Sequence, residues 1–179
     1  FGMLLIMIVS AVYSIRYLGS MDPLDDLKAL SAVRVGLVLG TLGLITGMIW
    51  AHNTWGRFWV NDPKLNGAAV GMLCYLAYML LRASLDAADK RARLAAVYNV
   101  FAFVLFFIFI MVLPRMAEAS IHPGHGGNPA LSAGDLDPSM RKVFFPIMAG
   151  WMLLGLWLFT VDYRISRLMA KTEEQSENE

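Results

Sequence analysis

The sequence predicts an all-α fold: a polytopic membrane helix bundle with five transmembrane helices. Three observations carry this. Charged residues make up 16% of the 179-residue chain and hydrophobic ones 58%, whereas a soluble domain carries about 25% charged residues. Five apolar stretches approach the roughly 20 residues that a helix needs to cross the hydrocarbon core. Backbone N–H and C=O groups in lipid must be satisfied within their own segment, so these stretches are helices rather than strands.

The first stretch runs from Phe1 to Gly19, with Arg16 near its end. It begins apolar and not with Met, without a charged leader or a small-residue cleavage site, so it does not read as a signal peptide. We expect a fragment whose upstream part is missing. The second is Val35 to Ala51, led in by Ala29 to Arg34. Its glycines, Gly36/Gly40 and Gly43/Gly47, form two pairs at small-xxx-small spacing, which predicts close helix packing. Leu65 to Leu81 is the third and is short, Leu94 to Pro114 is the fourth and most apolar, and Val143 to Val161 is the fifth. Asn99, inside the fourth, is a candidate interhelical hydrogen-bonder. The lone cysteine, Cys74, lies within an apolar run and excludes an internal disulfide framework.

The connections alternate in character. Ser20 to Lys28 is short and acidic, and Ser84 to Arg93 is a charged turn. Arg164 to Glu179 is a charged tail with a Glu/Ser/Gln-rich end, a composition that predicts disorder. Domain organisation is therefore a transmembrane unit over 1–163 and a tail over 164–179. On the other side of the bundle lie His52 to Lys64 and the Gly/Pro-rich connection Arg115 to Lys142. Of the 15 Lys and Arg residues, only Arg57, Lys64, Arg115, Arg141 and Lys142 fall on that side. The positive-inside rule then places the charged turn and C-terminus in the cytoplasm and the other two connections outside. In a Gram-negative cell that outer side is the periplasm and the membrane is the inner one.

One outward connection carries more than a hairpin needs. "WAHNTWGRFWVNDPKLNG", Trp50 to Gly67, holds three tryptophans, a phenylalanine, an aspartate and three asparagines before its closing glycine. If Trp55 to Asp62 is helical, then Trp55, Phe58, Trp59 and Asp62 stand at i, i+3, i+4 and i+7 on one face. Pro63 marks the stop. That arrangement is an aromatic shelf at the membrane surface, ending in a carboxylate and suited to a flat, apolar ligand. Interfacial tryptophan belts are the plainer alternative. "SIHPGHGGNP" on the second outward connection adds His122 and His125, and imidazole is a common haem-iron ligand. Either histidine is equally at home solvated in such a loop, and His52, at the mouth of the shelf, reads as an interfacial polar residue. No paired-cysteine spacing, phosphate-cradling Gly loop or HExxH is present. A Ser120/His122/Asp62 triad has no support from spacing.

"WGRFWVNDPKLNG" resembles the tryptophan-rich WWD signature, roughly WGxxWxWD, of the haem-handling proteins of cytochrome c maturation, in particular the CcmC branch of the CcmC/CcsA haem-exporter and cytochrome c assembly family. The likeness continues through "RASLDAADKRARLAAVYNVFAF", "SIHPGHGGNPALSAGDLDPSMR" and "GWMLLGLW", so it covers most of the chain. Trp55, Gly56, Trp59 and Asp62 match the signature directly, Phe58 replaces one tryptophan conservatively, and Asn61 stands where the last tryptophan is usual.

The resemblance implies a haem carrier and no enzyme. Haem b would be bound transiently over the WWD segment at the periplasmic face, with His122 as one axial ligand of the iron. The second ligand would lie upstream of Phe1, in a complete protein of six helices. His52 and His125 correspond to no family ligand. The implied partners are a membrane-anchored haem chaperone and the subunits of an ABC transporter, within membrane lipid and without nucleic acid. The outward cations are candidates for the haem propionates. Two other classes remain on the residues alone. A b-haem electron-transfer subunit of a membrane oxidoreductase would place histidines inside the spans, where this sequence has none. A haem-free scaffold or permease subunit would use the shelf for lipid or a partner helix.

Overall fold

The computed structural model describes residues 1–116 and 136–177, and every regular element among them is helical. The helices are α1 (Gly2–Ser20), α2 (Pro23–Trp55), α3 (Pro63–Ala83), α4 (Ala88–Phe107), α5 (Leu113–Met116) and α6 (Pro138–Glu177), with a π-helical turn, Ile108–Val112, joining α4 to α5. Five of the spans so formed are long and apolar enough to cross a membrane.

Helices extend further than the apolar stretches foretold, and local chemistry explains each extension. α2 starts at Pro23, inside the expected acidic connection: Asp22 accepts a hydrogen bond from the Leu24 N–H, proline occupies the first turn, and Asp25 and Asp26 follow. Each favours a helix start. The connection between α1 and α2 shrinks to Met21 and Asp22, with Met21 in the left-handed region at φ 55°. The charged turn likewise shortens, because α4 already begins at Ala88. The tail expected to be disordered from Arg164 instead continues α6 as helix to Glu177. Its Arg, Lys, Glu and Gln residues are good helix formers, and they extend a helix already nucleated in the membrane span. At 1.5 Å per residue, α2 is about 50 Å long, against roughly 30 Å of hydrocarbon. Its last turns therefore reach past the apolar layer.

α1 is the central helix. It packs on α2, α4 and α6, while α6 touches only α1 and α2 among the described residues. Two cores result. Met7, Val33, Tyr75, Tyr78, Ala102 and Phe106 join α1, α2, α3 and α4; Ile6, Ala32, Val35, Leu39 and Phe159 join α1, α2 and α6. Neighbouring Ile6 and Met7 thus serve opposite sides of one helix. Small and polar residues allow the close approach. The Asn99 amide donates to Ser10 Oγ and Ser14 Oγ, both at 2.7 Å, and Ser10 donates to the Ala29 carbonyl at 2.8 Å, all of it buried. Asn99 is therefore the interhelical bond-maker its position predicted.

At the charged end, Asp26 takes both Arg82 nitrogens in a fork at 2.6 and 2.7 Å, tying α2 to α3. Buried Asp25 holds Arg16 at 3.3 Å and Lys28 at 2.9 Å. Asp162 of α6 faces Arg34 at 3.8 Å.

Candidate functional site at the tryptophan end

α2 ends at Trp55 because Gly56 adopts φ 72°, a left-handed conformation that favours glycine, and returns its N–H to the His52 carbonyl at 2.9 Å. α3 restarts at Pro63, capped by Asp62, whose carboxylate accepts from the Lys64 N–H at 2.9 Å. Residues 56–62 between them are irregular. This corrects the helical reading of Trp55 to Asp62. Gly56 unwinds the chain one residue after the helix, and Asp62 belongs to the following helix instead of closing the preceding face. Only 2% of Asp62 is exposed, so its carboxylate serves as a cap rather than standing open at the end of a shelf. Asn61 is exposed, and its Oδ1 accepts from the Asn66 side chain at 2.6 Å.

The aromatic rings gather by another route. Trp55 meets Trp50 edge-on at 4.9 Å, and Phe58 stacks on His52 at 4.2 Å and 25°. Trp59, 39% exposed, walls a cleft of about 180 Å³ together with Trp50, Gly43, Gly47 and Lys64. Phe58 is 53% exposed. The expected candidates Trp55, Gly56, Phe58, Trp59, Asn61 and Asp62 thus occupy one end of the bundle. Trp50 links the Trp55 contact to the Trp59 cleft, and nothing in the WWD spacing singled it out. The signal was nevertheless present. Gly43, Gly47 and Trp50 stand at i, i+4 and i+7, one face of α2.

That face also corrects the glycine expectation. A Cβ on Gly36 or Gly40 would press into the side chains of Met7, or of Met3 and Met72, as close packing requires. Among the described residues, a Cβ on Gly43 or Gly47 would meet nothing within 4 Å, because both glycines floor the cleft. Below the cleft, and sharing Gly43, Leu44 and Ala68 with it, an apolar cavity of about 560 Å³ opens among α1, α2, α3 and α6. The two form a depression running from the Trp59 surface into the bundle. Its size and apolar lining lie within the range of small-ligand sites.

Cations at this end differ in their engagement. The Arg115 guanidinium donates to the Met111 carbonyl, and Arg141 donates to the Leu136 carbonyl at 2.9 Å. Lys64 lines the cleft itself, and Arg57 is exposed. His122, the candidate iron ligand, and His125 lie outside the described residues.

Residues 1–119 match the family model described as cytochrome C assembly protein. The chain belongs to the cytochrome c assembly protein family. It is similar to heme exporter protein C of Paracoccus denitrificans, at 30% identity over 168 residues, which is 90% of this chain and 64% of that protein. It is 36% identical over 97 residues to heme exporter protein C of Bradyrhizobium diazoefficiens, covering 52% of this chain and 37% of that protein. Cytochrome c biogenesis protein CcsA of Prochlorococcus marinus is 40% identical over 91 residues, 50% of this chain and 29% of that protein. The chain therefore spans from under a third to under two thirds of these relatives' lengths. Relatives of both kinds, heme exporter protein C and CcsA, fit the CcmC/CcsA family. As a cytochrome c assembly protein it is a multi-pass membrane protein, of a class made of assembly and transport components rather than enzymes.

Proposed function

We propose that this chain presents haem during cytochrome c maturation. Haem b is the cargo, held against the WWD segment at the periplasmic face of the inner membrane. Trp59, Trp50 and Phe58 offer ring faces, and His122 supplies an axial nitrogen to the iron. The charged end and C-terminus lie in the cytoplasm, and a second axial ligand comes from upstream of Phe1. Cargo then passes to a membrane-anchored haem chaperone that works with an ABC transporter.

The observation that supports this reading is the depression between α2 and α3, open at Trp59 and floored by Gly43 and Gly47. A planar, apolar ring fits there by its flat faces, while one edge stays accessible to an acceptor. Lys64, on the rim of the same cleft, is the cation best placed for a propionate, because a charge-assisted hydrogen bond to a carboxylate strengthens where water is excluded. Trp55 supports the site through Trp50. Asp62 and Asn61 hold the start of α3 in place, so they act on the cargo indirectly.

The test uses the full-length protein, purified from membranes with haem supplied. The wild type should show a Soret band. His122→Ala should retain haem about tenfold less well, the scale of losing a metal-site contact, while accumulating normally. Trp59→Ala should impair haem passage to the chaperone more than it lowers protein abundance. A wild type that purifies colourless under these conditions overturns the reading in favour of a haem-free scaffold.

A further inference from the structure

α6 is apolar for longer on one side than on another. Val143 to Val161 spans about 28 Å at 1.5 Å per residue, which fills roughly 30 Å of hydrocarbon, and Asp162 ends that run. Ties to the rest of the bundle fix this depth. Arg34 of α2 faces Asp162 at 3.8 Å and donates to Ser166 Oγ at 3.2 Å. The Lys28 ammonium, held by buried Asp25, lies 5.8 Å from the Tyr163 ring centre and 5.0 Å from that of Tyr13. Phe159 stacks on Tyr13 at 6.1 Å. Phe159, Asp162, Tyr163 and Ser166 stand at i, i+3, i+4 and i+7, so these contacts occupy one side of α6.

Beyond Asp162 the helix continues to Glu177, and its two remaining sides differ. Ile165, Leu168 and Met169 are 53%, 65% and 60% exposed. With Val161 and Thr172 they form a stripe at i, i+4, i+7, i+8 and i+11. Arg164, Arg167 and Lys171, all exposed, stand at i, i+3 and i+7 beside it. Met169 lies about 12 Å past Val161 along the axis, so the stripe outruns the hydrocarbon. A free helix would tilt to bury such an excess, but the ties to Arg34 and Lys28 hold α6 at its angle to α1 and α2. Lipid headgroups at that depth suit the three cations and not the three apolar side chains. An exposed apolar patch rimmed by charge marks a protein contact surface.

We infer that the α6 extension over 161–172 is a docking helix for a second protein at this face of the membrane, one that offers an apolar groove edged by carboxylates. Helix-in-groove contacts use anchors at this spacing. Ile165, Leu168 and Met169 enter the groove, and Arg164, Arg167 and Lys171 pair with its acidic rim. The charge pairs fix orientation and speed association more than they add affinity. This surface lies at the opposite end of the bundle from the tryptophans, so it stands apart from the haem reading.

The test places Leu168→Cys in the full-length protein with Cys74→Ala and measures its reaction with a water-soluble, membrane-impermeant maleimide. Three settings are compared: nanodiscs of zwitterionic lipid, nanodiscs containing phosphatidylglycerol, and open native membrane fragments. Trp157→Cys, in the span, should stay unreactive throughout, and Gln175→Cys, near the helix end, should react throughout. Leu168→Cys should react freely in both kinds of nanodisc and about tenfold more slowly in native membranes, as a mostly occupied contact requires. Arg164→Glu, Arg167→Glu and Lys171→Glu together should restore its reaction in native membranes to the nanodisc rate. Equal reaction in native membranes and nanodiscs overturns the proposal, because nothing then covers the stripe. Slow reaction in zwitterionic nanodiscs overturns it in favour of burial in lipid, and slow reaction only with phosphatidylglycerol in favour of anionic headgroups. Protection in native membranes that survives the charge reversal overturns the acidic groove. Should the triple variant not accumulate, Arg167→Glu alone decides by the same criterion.

Discussion

Asp62 illustrates how one residue changes meaning between sequence and structure. Its place in the WWD signature marks it as a site residue, and the fold gives its carboxylate a backbone task at the start of α3. Replacing an N-cap aspartate with alanine costs about 1 kcal/mol, whereas asparagine caps nearly as well. Asp62→Ala should therefore lower stability to unfolding in detergent micelles by about 1 kcal/mol, and Asp62→Asn should stay close to wild type. Equal losses in the two variants would show that the negative charge, not the cap, is what the position requires. Gly56 carries a similar lesson. Its match to the signature reflects a backbone need, since φ 72° at the end of α2 suits glycine and penalises a side chain. Trp50, by contrast, gains its importance only from what surrounds it, because its partners Trp55 and Trp59 lie on opposite sides of the Gly56 break.

Among the elements, α2 and α3 form the frame of the site, joined at one end by residues 56–62 and at the other by the Asp26–Arg82 fork. The fork is only 10–15% exposed at its two side chains. Removing one partner strands the other, and a broken buried pair costs about 3 kcal/mol or more. Arg82→Ala should therefore be strongly destabilising in micelle unfolding, and the neutral pair Asp26→Asn with Arg82→Gln should recover most of that loss. Failure of the double variant to recover would mean that the Arg82 guanidinium over the Tyr78 ring, which glutamine cannot replace, matters more than its pairing with Asp26. The starts and stops of these helices were written locally. Asp22 with Pro23 and Asp62 with Pro63 are the same cap-then-proline signal, readable from adjacent residues. The π-helical turn was not readable, because Pro114 foretells an interruption but not that Gly67 of α3 makes room for the Phe109 carbonyl beside it.

Across the molecule, α1 stands between two cores, and among the described residues α6 rests on α1 and α2 alone. Local opening follows packing density. Hydrogen exchange in detergent micelles should therefore expose α6 amides ahead of those of α1 and α4, and slower exchange in α6 than in α1 would contradict this order. The sequence by itself determined the number of spans, the end of the bundle that bears the tryptophans and the family to which the chain belongs. These follow from apolar length, charge placement and short motifs, which need no knowledge of neighbours. Tertiary structure alone decided that Gly36 and Gly40 pack while Gly43 and Gly47 floor a cleft, that Asp62 turns inward, and that Gly67 abuts a backbone carbonyl. A glycine reads the same in either setting, and only the distance to the next helix separates a contact from a cavity.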